Sequence, residues 1–337
     1  MKKMTSIVLA LSLVASLAAC GGGNTAKTSA APKDDKSAAT TATDTVAVGA
    51  VLIARDDVPT DQVYAFVSNI FDNKDAISQQ HGKGAELDLD FASSVTSVPY
   101  HPGAAKYFSE KGKTVAAVKD GAGNGTAANL SMGTGGDTGT YYGFGSVLAN
   151  FVSSKADFTV TAVTSGGSKA NIEDMTAGDV QLAFVQSDVM SYAYNGERLF
   201  DAKVDGFSVV AALYMEQVQI VTTNSAIASV ADLKGKTVSI GASGSGVYFN
   251  AIDVLEAYGM TENDIKPVYQ SFGDSADSLK DGKIDAAFIV AGAPTTAITD
   301  LATAGAVYLV SLDKDHTDKL LASSPFYSAY TIPAGTY

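Results

Sequence analysis

Residues 129–194 carry the pattern that decides the fold: NLSMGTGGDTGTYYGFGSVLANFVSSKADFTVTAVTSGGSKANIEDMTAGDVQLAFVQSDVMSYAY. Short apolar runs of strand length, such as Leu130–Gly133 and Val180–Val185, alternate with stretches of helical periodicity, such as Tyr141–Val152. This βαβ alternation predicts a parallel or mixed sheet that is covered by helices on both faces.

The same alternation restarts further along the chain, after two extended segments near Glu216. Thr237–Ile240 has the pattern of a strand, and Val247–Tyr258 has the pattern of a helix. We therefore predict an α/β protein of the type II periplasmic-binding-protein kind, with two lobes and a central ligand cleft. Residues 129–215 would form the first lobe, and residues 216–337 the second lobe and the hinge.

Upstream of this region, residues 46–119 form a separate segment. It opens on Val46–Ala54, a continuous apolar run that is typical of a buried strand. Residues 120–128 are rich in Gly and Asn and lack periodicity, which predicts a linker.

The N-terminal residues have the pattern of a targeting segment. Lys2 and Lys3 precede an apolar run at positions 7–19, which is too short to span a bilayer comfortably and is typical of a secretory signal. The run ends at Cys20 in a sequence that resembles the bacterial lipobox, so we predict a lipoprotein signal peptide over residues 1–20 and a lipid anchor on Cys20. The alternative is an ordinary signal peptide with an incidental Cys. Residues 21–45 are mostly small or polar and predict a disordered linker, so the folded part is expected to be extracytoplasmic.

Composition narrows the function classes further. The 337 residues contain 23 Lys and Arg against 36 Asp and Glu, a net charge of -13. Nucleic acid is therefore an improbable partner, because its phosphate backbone requires a basic face. One Cys and three His are too few for a disulfide framework or a Cys/His zinc site. We expect neither a metal nor a cofactor.

Three Gly-rich or Ser-rich loops, at residues 133–142, 165–171 and 241–246, each stand between a strand pattern and a helix pattern. Because a helix N-terminus offers unpaired N–H groups and a partial positive charge, each loop is a candidate anion site. The structural alternative is that these Gly and Ser residues only form tight turns and helix caps. None of the loops matches a dinucleotide fingerprint, a P-loop or a G-x-S-x-G nucleophile elbow.

Several motifs in the chain resemble the TAXI family of TRAP-transporter solute receptors. These motifs are Gly133-Thr-Gly-Gly-x-x-Gly-Thr-Tyr-Tyr142, Ser168-x-x-Asn171, Leu182-Ala-Phe-Val-Gln-Ser-Asp188, Leu213-Tyr-x-Glu216, Ala231-Asp-Leu-Lys-Gly-Lys-Thr-Val-Ser-Ile-Gly241 and Asp281-Gly-x-Ile-Asp285-Ala. Residues 46–112 resemble the C-terminal part of that family but precede its opening motif here. The resemblance therefore implies a circular permutation, with the family's usual ends joined near residues 120–127.

The resemblance implies a receptor that captures a small organic acid or amino acid, similar to glutamate or 2-oxoglutarate, and delivers it to TRAP-type permease subunits in the membrane. Arg is scarce in the chain, so loop N–H groups and hydroxyls are expected to hold the carboxylate in place of an Arg clamp. The expected ligand-binding residues are Thr134, Gly136, Tyr141, Tyr142, Ser168, Asn171, Gln186, Ser243, Ser245, Gly246 and Gly292.

Two other classes of function stay open at the level of sequence. A surface lipoprotein hydrolase could use Ser243 or Ser245 as its nucleophile, although no His is close to either in sequence. An adhesin-like structural lipoprotein would have neither a cleft nor a small ligand. For a solute receptor, no catalytic residue is expected.

Overall fold

The computed structural model describes residues 41–337. The predicted signal peptide, the lipidation site Cys20 and most of the predicted linker 21–45 lie outside the described residues. The strands are β1 (Thr43–Arg55), β2 (Leu130–Gly133), β3 (Val160–Val163), β4 (Leu182–Gln186), β5 (Phe207–Thr222), β6 (Thr237–Ser239), β7 (Lys266–Val268), β8 (Ala286–Ala291), β9 (Tyr308–Leu309) and β10 (Ser328–Ile332). The α-helices are α1 (Thr60–Phe71), α2 (Lys74–Ser78), α3 (Leu89–Ala92), α4 (Pro102–Glu110), α5 (Thr140–Ser153), α6 (Ser168–Ala177), α7 (Ser187–Asn195), α8 (Val247–Ala257), α9 (Phe272–Lys280), α10 (Thr296–Ala304) and α11 (Lys314–Ser323).

The strands form one mixed sheet in the order β3-β2-β4-β1-β5-β8-β6-β7, with β10 paired to β1 and β9 paired to β5. Strands β2, β3 and β4 run parallel at one end, and β6, β7 and β8 run parallel at the other. The two parallel groups correspond to the two βαβ patterns in the sequence. The predicted α/β fold with helices around a mixed sheet is therefore confirmed.

Two long antiparallel strands, β1 and β5, belong to both lobes. The first-lobe core contains residues 50–54 of β1 and 207–214 of β5, and the second-lobe core contains Val48 and Val218. The pairing of β1 with β5 changes register between Ala50 and Val51. The lobes are thus joined at Gly49 in β1 and around Glu216 in β5, where a small backbone rotation would change the angle between them.

Several boundaries differ from the sequence-based expectation. Strand β1 begins at Thr43, so the last residues of the predicted linker 21–45 pair with β10. The runs Phe207–Tyr214 and Val218–Thr222 form one continuous strand, because the polar residues between them remain buried at the junction of the lobes.

The segment 46–119 packs into the first lobe. Phe66 of α1 and Phe108 of α4 are fully buried in the same core as Phe144 of α5. A buried His101 caps α4, where its Nδ1 accepts from the Gly103 N–H. In the part of the chain that the structure describes, no helix is long and apolar enough to cross a membrane.

Candidate functional site

A cleft lies between the two lobes, at the carboxyl ends of their parallel strands. The space open to the centre of a water molecule there is about 70 Å³. Its lining comes from the loops after β2, β3, β4, β6 and β7, together with Glu216 of β5 and the end of β8.

Two helix N-termini face this cleft without a side-chain cap. Gly139, Thr140 and Tyr141 at the start of α5 line it from the first lobe. Ser245, Gly246 and Val247 at the start of α8 line it from the second lobe. The first-turn N–H groups of a helix have no intrahelical partner and carry the positive end of the helix dipole. The cleft therefore offers backbone donors from both lobes to an anionic group.

The expected anion loop at residues 165–171 has a different role. The N–H groups of Lys169 and Ala170, in the first turn of α6, donate to the carbonyl of Gly244 at 3.0 and 3.1 Å. Because Gly244 belongs to the second lobe, this end of α6 is capped across the cleft. A second contact between the lobes runs from Thr140 Oγ1 to the carbonyl of Gly292 at 2.9 Å. The structure thus shows the lobes in contact around the cleft.

Two buried polar atoms in the cleft lining have no partner among the described residues. They are Oε1 of Gln186, at the end of β4, and Oγ of Ser245, before α8. Gln186 is 2 % exposed and Ser245 is 8 % exposed. A buried polar atom without a hydrogen bond is costly, by about 1–3 kcal/mol. Such atoms in a cleft therefore point to a ligand that completes their hydrogen bonds.

Glu216 forms the floor of the cleft, and only one of its carboxylate oxygens is occupied. The Tyr141 hydroxyl donates to Glu216 Oε2 at 2.6 Å, whereas Oε1 accepts no hydrogen bond from the described residues. Burial raises the pKa of Glu216 to about 8, although the Tyr141 hydrogen bond and the Lys83 charge oppose this shift. The carboxyl group is therefore mostly protonated at neutral pH when the cleft is empty.

A second polar cluster lies behind the floor. The ammonium of Lys83 is 5.4 Å from the centre of the Tyr214 ring and pairs with Glu86 at 2.6 Å. Burial raises the pKa of Tyr214 well above its usual value. A Cβ added at Gly292 would lie 3.0 Å from Lys83 Nζ, so Gly292 is needed where this cluster meets the second lobe.

The structure brings together six of the eleven residues that the sequence predicts as ligand-binding. These are Gly136, Tyr141, Ser168, Gln186, Ser245 and Gly246. The other five do not line the cleft. Ser243 is exposed at the tip of its loop, Tyr142 is half-buried in α5, and Gly292 contacts the Lys83 cluster.

Thr134 and Asn171 are the remaining two, and both hold the first-lobe loops in place. Thr134 is fully buried, and its hydroxyl donates to the carbonyl of Val163 at 2.6 Å. The side-chain amide of Asn171 donates to the carbonyls of Thr134 and Phe184, both at 2.7 Å. These residues tie the ends of β2, β3 and β4 together, so they position the cleft without lining it.

Sequence reasoning missed several residues of the cleft. Thr140 and Gly139 stand inside the predicted first loop, and Phe272 with Ser271 begins α9 in the second lobe. Glu216 appeared in a motif and as a hinge residue but was not expected to face the ligand. A buried carboxylate in an otherwise apolar strand is the signal that could have identified it.

The hydrolase alternative finds no support in this geometry. His81 lies against Phe144, His101 caps α4, and His316 stacks on Tyr258 at 3.6 Å. None of these three imidazoles is hydrogen-bonded to a described serine, and Ser245 Oγ has no partner among the described residues. Ser243, the other candidate nucleophile, lies outside the cleft. The site lacks the nucleophile–base pair that acyl transfer requires.

A buried network of hydrogen bonds, the interlobe network, links the lobes beside the cleft. Asn250 of α8 donates to Asp188 Oδ2 of α7 at 3.0 Å and to the Tyr327 hydroxyl at 2.9 Å. Tyr327 donates to Asp253 at 2.8 Å, and Asp253 pairs with Arg198 at 2.8 Å. Asp188 is fully buried, and its Oδ1 has no partner among the described residues. Burial raises the pKa of Asp188 to about 7, with Asp253 adding to the shift.

Comparison with known proteins identifies the family. The model of the NMT1-like family matches residues 22–112 and 132–337, which is most of the chain. The chain belongs to the NMT1-like family. Apart from the first two residues of β2, all ten strands and the whole cleft lining fall within the matched residues.

Solved structures with a similar arrangement are binding proteins by their descriptions. The aliphatic sulphonate binding protein SsuA from Escherichia coli is 18% identical, with a TM-score of 0.36, over 55% of this chain and 60% of that one. SsuA from Xanthomonas axonopodis pv. citri, bound to MOPS, is 21% identical, with a TM-score of 0.39, over 55% and 61%. An ancestral arginine-binding protein bound to arginine is 18% identical, with a TM-score of 0.38, over 55% and 79%. The NMT1-like chain thus spans about three fifths of the length of the SsuA proteins.

The resemblance to the TAXI family is wrong, because the matching family is NMT1-like. The quoted motifs mark positions that the fold itself requires. Gly235 and Gly282, each in one of those motifs, both adopt positive φ angles in the turns before β6 and β8. Gly at such turns is a structural default, so short motifs of this kind do not separate families that share the fold.

The circular permutation depended on the order of the TAXI motifs and is not supported once that resemblance is removed. The NMT1-like match includes residues 22–112, the stretch that the permutation treated as displaced. The pairing of β1 with β10 brings the first described strand beside the last one, but this adjacency alone does not require a permutation. A TRAP-type permease as the partner depended on the same resemblance and is likewise not supported.

Proposed function

We propose that this NMT1-like protein is an extracytoplasmic solute receptor, not an enzyme, that closes its two lobes over one small carboxylate-bearing metabolite. The observation that carries the proposal is the composition of the cleft. Two uncapped helix N-termini and two buried, unpartnered polar atoms converge from both lobes on a space of small-molecule size. Such a concave site with a few convergent polar groups is the usual form of a small-molecule site.

The two-strand connection supports capture by closure. Only β1 and β5 belong to the cores of both lobes among the described strands, and Glu216 lies at the junction. A ligand that contacts both lobes would stabilise the closed arrangement relative to an open one. Binding would therefore be coupled to a change in shape.

A thermal-shift screen tests this function. Because a ligand that binds only the folded state stabilises it by mass action, a true ligand at 100 times its Kd should raise the Tm by about 5–10 °C. The screen should contain small carboxylates, amino acids and sulfonates, each with the amide of its acid group as the matched control. We expect a shift with the acid and little with its amide. The absence of a shift with every solute would contradict the proposal.

We also propose that Cys20 anchors the receptor to the outer face of the membrane, where it could pass the solute to a membrane transporter. The proposal is supported by the lipobox-like sequence at residues 17–20 and by the placement of the chain's single Cys within it. Stable anchoring needs more than one acyl chain, as lipoprotein modification provides. The variant Cys20→Ser should move the protein from the membrane fraction to the soluble fraction. Mass spectrometry of the wild-type N-terminus should show the acyl groups, and an unmodified Cys20 would contradict the anchor.

A further inference from the structure

The charge of the cleft restricts which carboxylate it can hold. Of the described residues that line it, none is Arg, Lys or His, and only Glu216 and Tyr141 have ionisable side chains. Within the lining the positive potential therefore comes from the helix N-termini, each equivalent to roughly half an elementary charge, with Lys83 lying behind Glu216 outside the lining. A dianion such as 2-oxoglutarate would enter without a formal counter-charge, and it would face Glu216. The cleft is better matched to a ligand whose own charges sum to zero.

The unpartnered atoms add the second part of the argument. Glu216 Oε1, Gln186 Oε1 and Ser245 Oγ can each accept a hydrogen bond, and none has a donor among the described residues. A carboxylate on the ligand has no proton to give to Gln186 Oε1 or to an ionised Glu216, although it could accept from the Ser245 hydroxyl. An ammonium group has three protons to give. Unpartnered acceptors and uncapped helix N-termini in one cleft suit a molecule that carries both an ammonium and a carboxylate.

We propose that the ligand is a small α-amino acid without net charge, whose ammonium binds Glu216 and whose carboxylate binds the N-termini of α5 and α8. This inference rests on the proposed function and narrows its ligand class. Glu216 then acts as a specificity-determining residue that separates an amino acid from its 2-oxo acid. Tyr141 positions it, because its hydroxyl holds Oε2 and leaves Oε1 without a donor among the described residues.

Binding of an ammonium group should also displace a proton from Glu216. The charged and titratable groups that face Glu216 are Tyr141 of α5, Tyr214 of β5, Asp188 of α7 and Lys83 beside the floor. Burial keeps the carboxyl protonated in the empty cleft, with a pKa of about 8. Ionisation on binding should therefore release about 0.9 proton per ligand at pH 7, and much less at pH 9.

Calorimetry with matched pairs tests the inference. The pairs are L-alanine with pyruvate, L-valine with 3-methyl-2-oxobutanoate, and L-glutamate with 2-oxoglutarate, each titrated in phosphate and in Tris at pH 7. We expect an uncharged amino acid to bind more tightly than its oxo acid and to release close to one proton. Glu216→Gln should weaken that amino acid by about thirty-fold or more and abolish proton release, because one partner of a buried charge pair is lost. Glu110→Gln, an exposed position on α4, is the matched control and should leave both values unchanged.

The outcomes separate this inference from the proposed function. An oxo acid that binds as tightly as its amino acid, or an amino acid that binds without proton release, would overturn the role of Glu216 but keep the receptor. No binding by any pair or by any solute of the thermal-shift screen would overturn both. If Glu216→Gln fails to fold, proton release by the wild-type protein still decides the question.

Discussion

Replacing Gly246 with Val should reduce ligand affinity by about a hundred-fold or more while leaving the fold intact. Gly246 starts α8 and lies where the second lobe approaches the first. A Cβ at this position would overlap Gln186 Oε1 and would lie 2.5 Å from Gln186 Cδ and 3.1 Å from Ser168 Oγ. Gln186 is buried at the end of β4, so its amide has little room to move away.

The expected loss of affinity follows from the equilibrium between the open and closed arrangements of the lobes. The apparent Kd rises in proportion to the loss of the closed, binding-competent population. If the clash raises the free energy of the closed state by about 3 kcal/mol, the apparent affinity falls by about a hundred-fold. Each lobe keeps its own core, so the Tm without ligand should change little.

Isothermal titration with the best ligand of the thermal-shift screen measures the effect. Gly206→Val is the matched control, because a Cβ there meets no atom within 4 Å and the residue precedes β5 away from the cleft. Small-angle scattering should show that the wild-type protein contracts on adding ligand and that the Gly246 variant does not. Normal affinity in the Gly246 variant would mean that the lobes do not close on this contact.

The local features of this fold were predictable from sequence because they depend on neighbouring residues. The pattern over Tyr141–Val152 predicted α5, which spans Thr140–Ser153. The Gly-rich loops were also expected to begin helices, and α5 and α8 do start there without side-chain caps. Both outcomes follow from hydrophobic periodicity and turn chemistry within about fifteen residues of chain.

The contacts that build the cleft were less accessible, since they join distant parts of the chain. Tyr141 and Glu216 are 75 positions apart, and their hydrogen bond shows that Glu216, expected only as a hinge residue, forms the floor of the site. Lys83 comes from the segment 46–119, which had no expected link to the ligand. Asn171 lies near the cleft, as expected, but its side-chain amide donates to two backbone carbonyls. The sequence alone does not show whether an amide near a helix start binds the backbone or a solute.

The family assignment failed for a related physical reason. Gly at positive φ, Ser or Thr at a helix start and an Asp-Gly turn before a strand are requirements of the architecture, and proteins with different partners share them. The match over residues 22–112 and 132–337 uses the whole pattern of the chain, including core positions that no short motif contains.

Raising the pH from 5 to 8 should destabilise the ligand-free protein, and Asp188→Asn should remove a large part of this loss. Burial raises the pKa of Asp188 from 3.8 to about 7. Between these values the unfolded chain has released the proton and the folded protein retains it, so the free energy of unfolding falls as the pH rises. The contribution of protonated Asp188 to the free energy of unfolding is fully present below about pH 4 and is lost above about pH 7.

One pKa unit corresponds to about 1.4 kcal/mol, so Asp188 alone should lower the free energy of unfolding by ~2–3 kcal/mol between pH 5 and pH 8. Glu216 acts in the same direction with a pKa of about 8. An amide at position 188 keeps the shape of the side chain and can still accept from Asn250, but it has no proton to lose. Asp188→Asn should therefore lose the Asp188 part of the pH dependence. It should retain the Glu216 part and the opposing part of His101, whose pKa burial lowers to about 4.

Urea unfolding at pH 5, 6, 7 and 8 without ligand measures these free energies. Asp201→Asn, at an exposed position, is the matched control and should follow the wild-type curve. Because Asp188 joins α7 to Asn250 and Tyr327 of the second lobe, its ionisation at high pH should also loosen the interlobe network. An Asp188 variant whose stability depends on pH as that of the wild-type protein does would show that Asp188 is ionised in the folded state throughout this range.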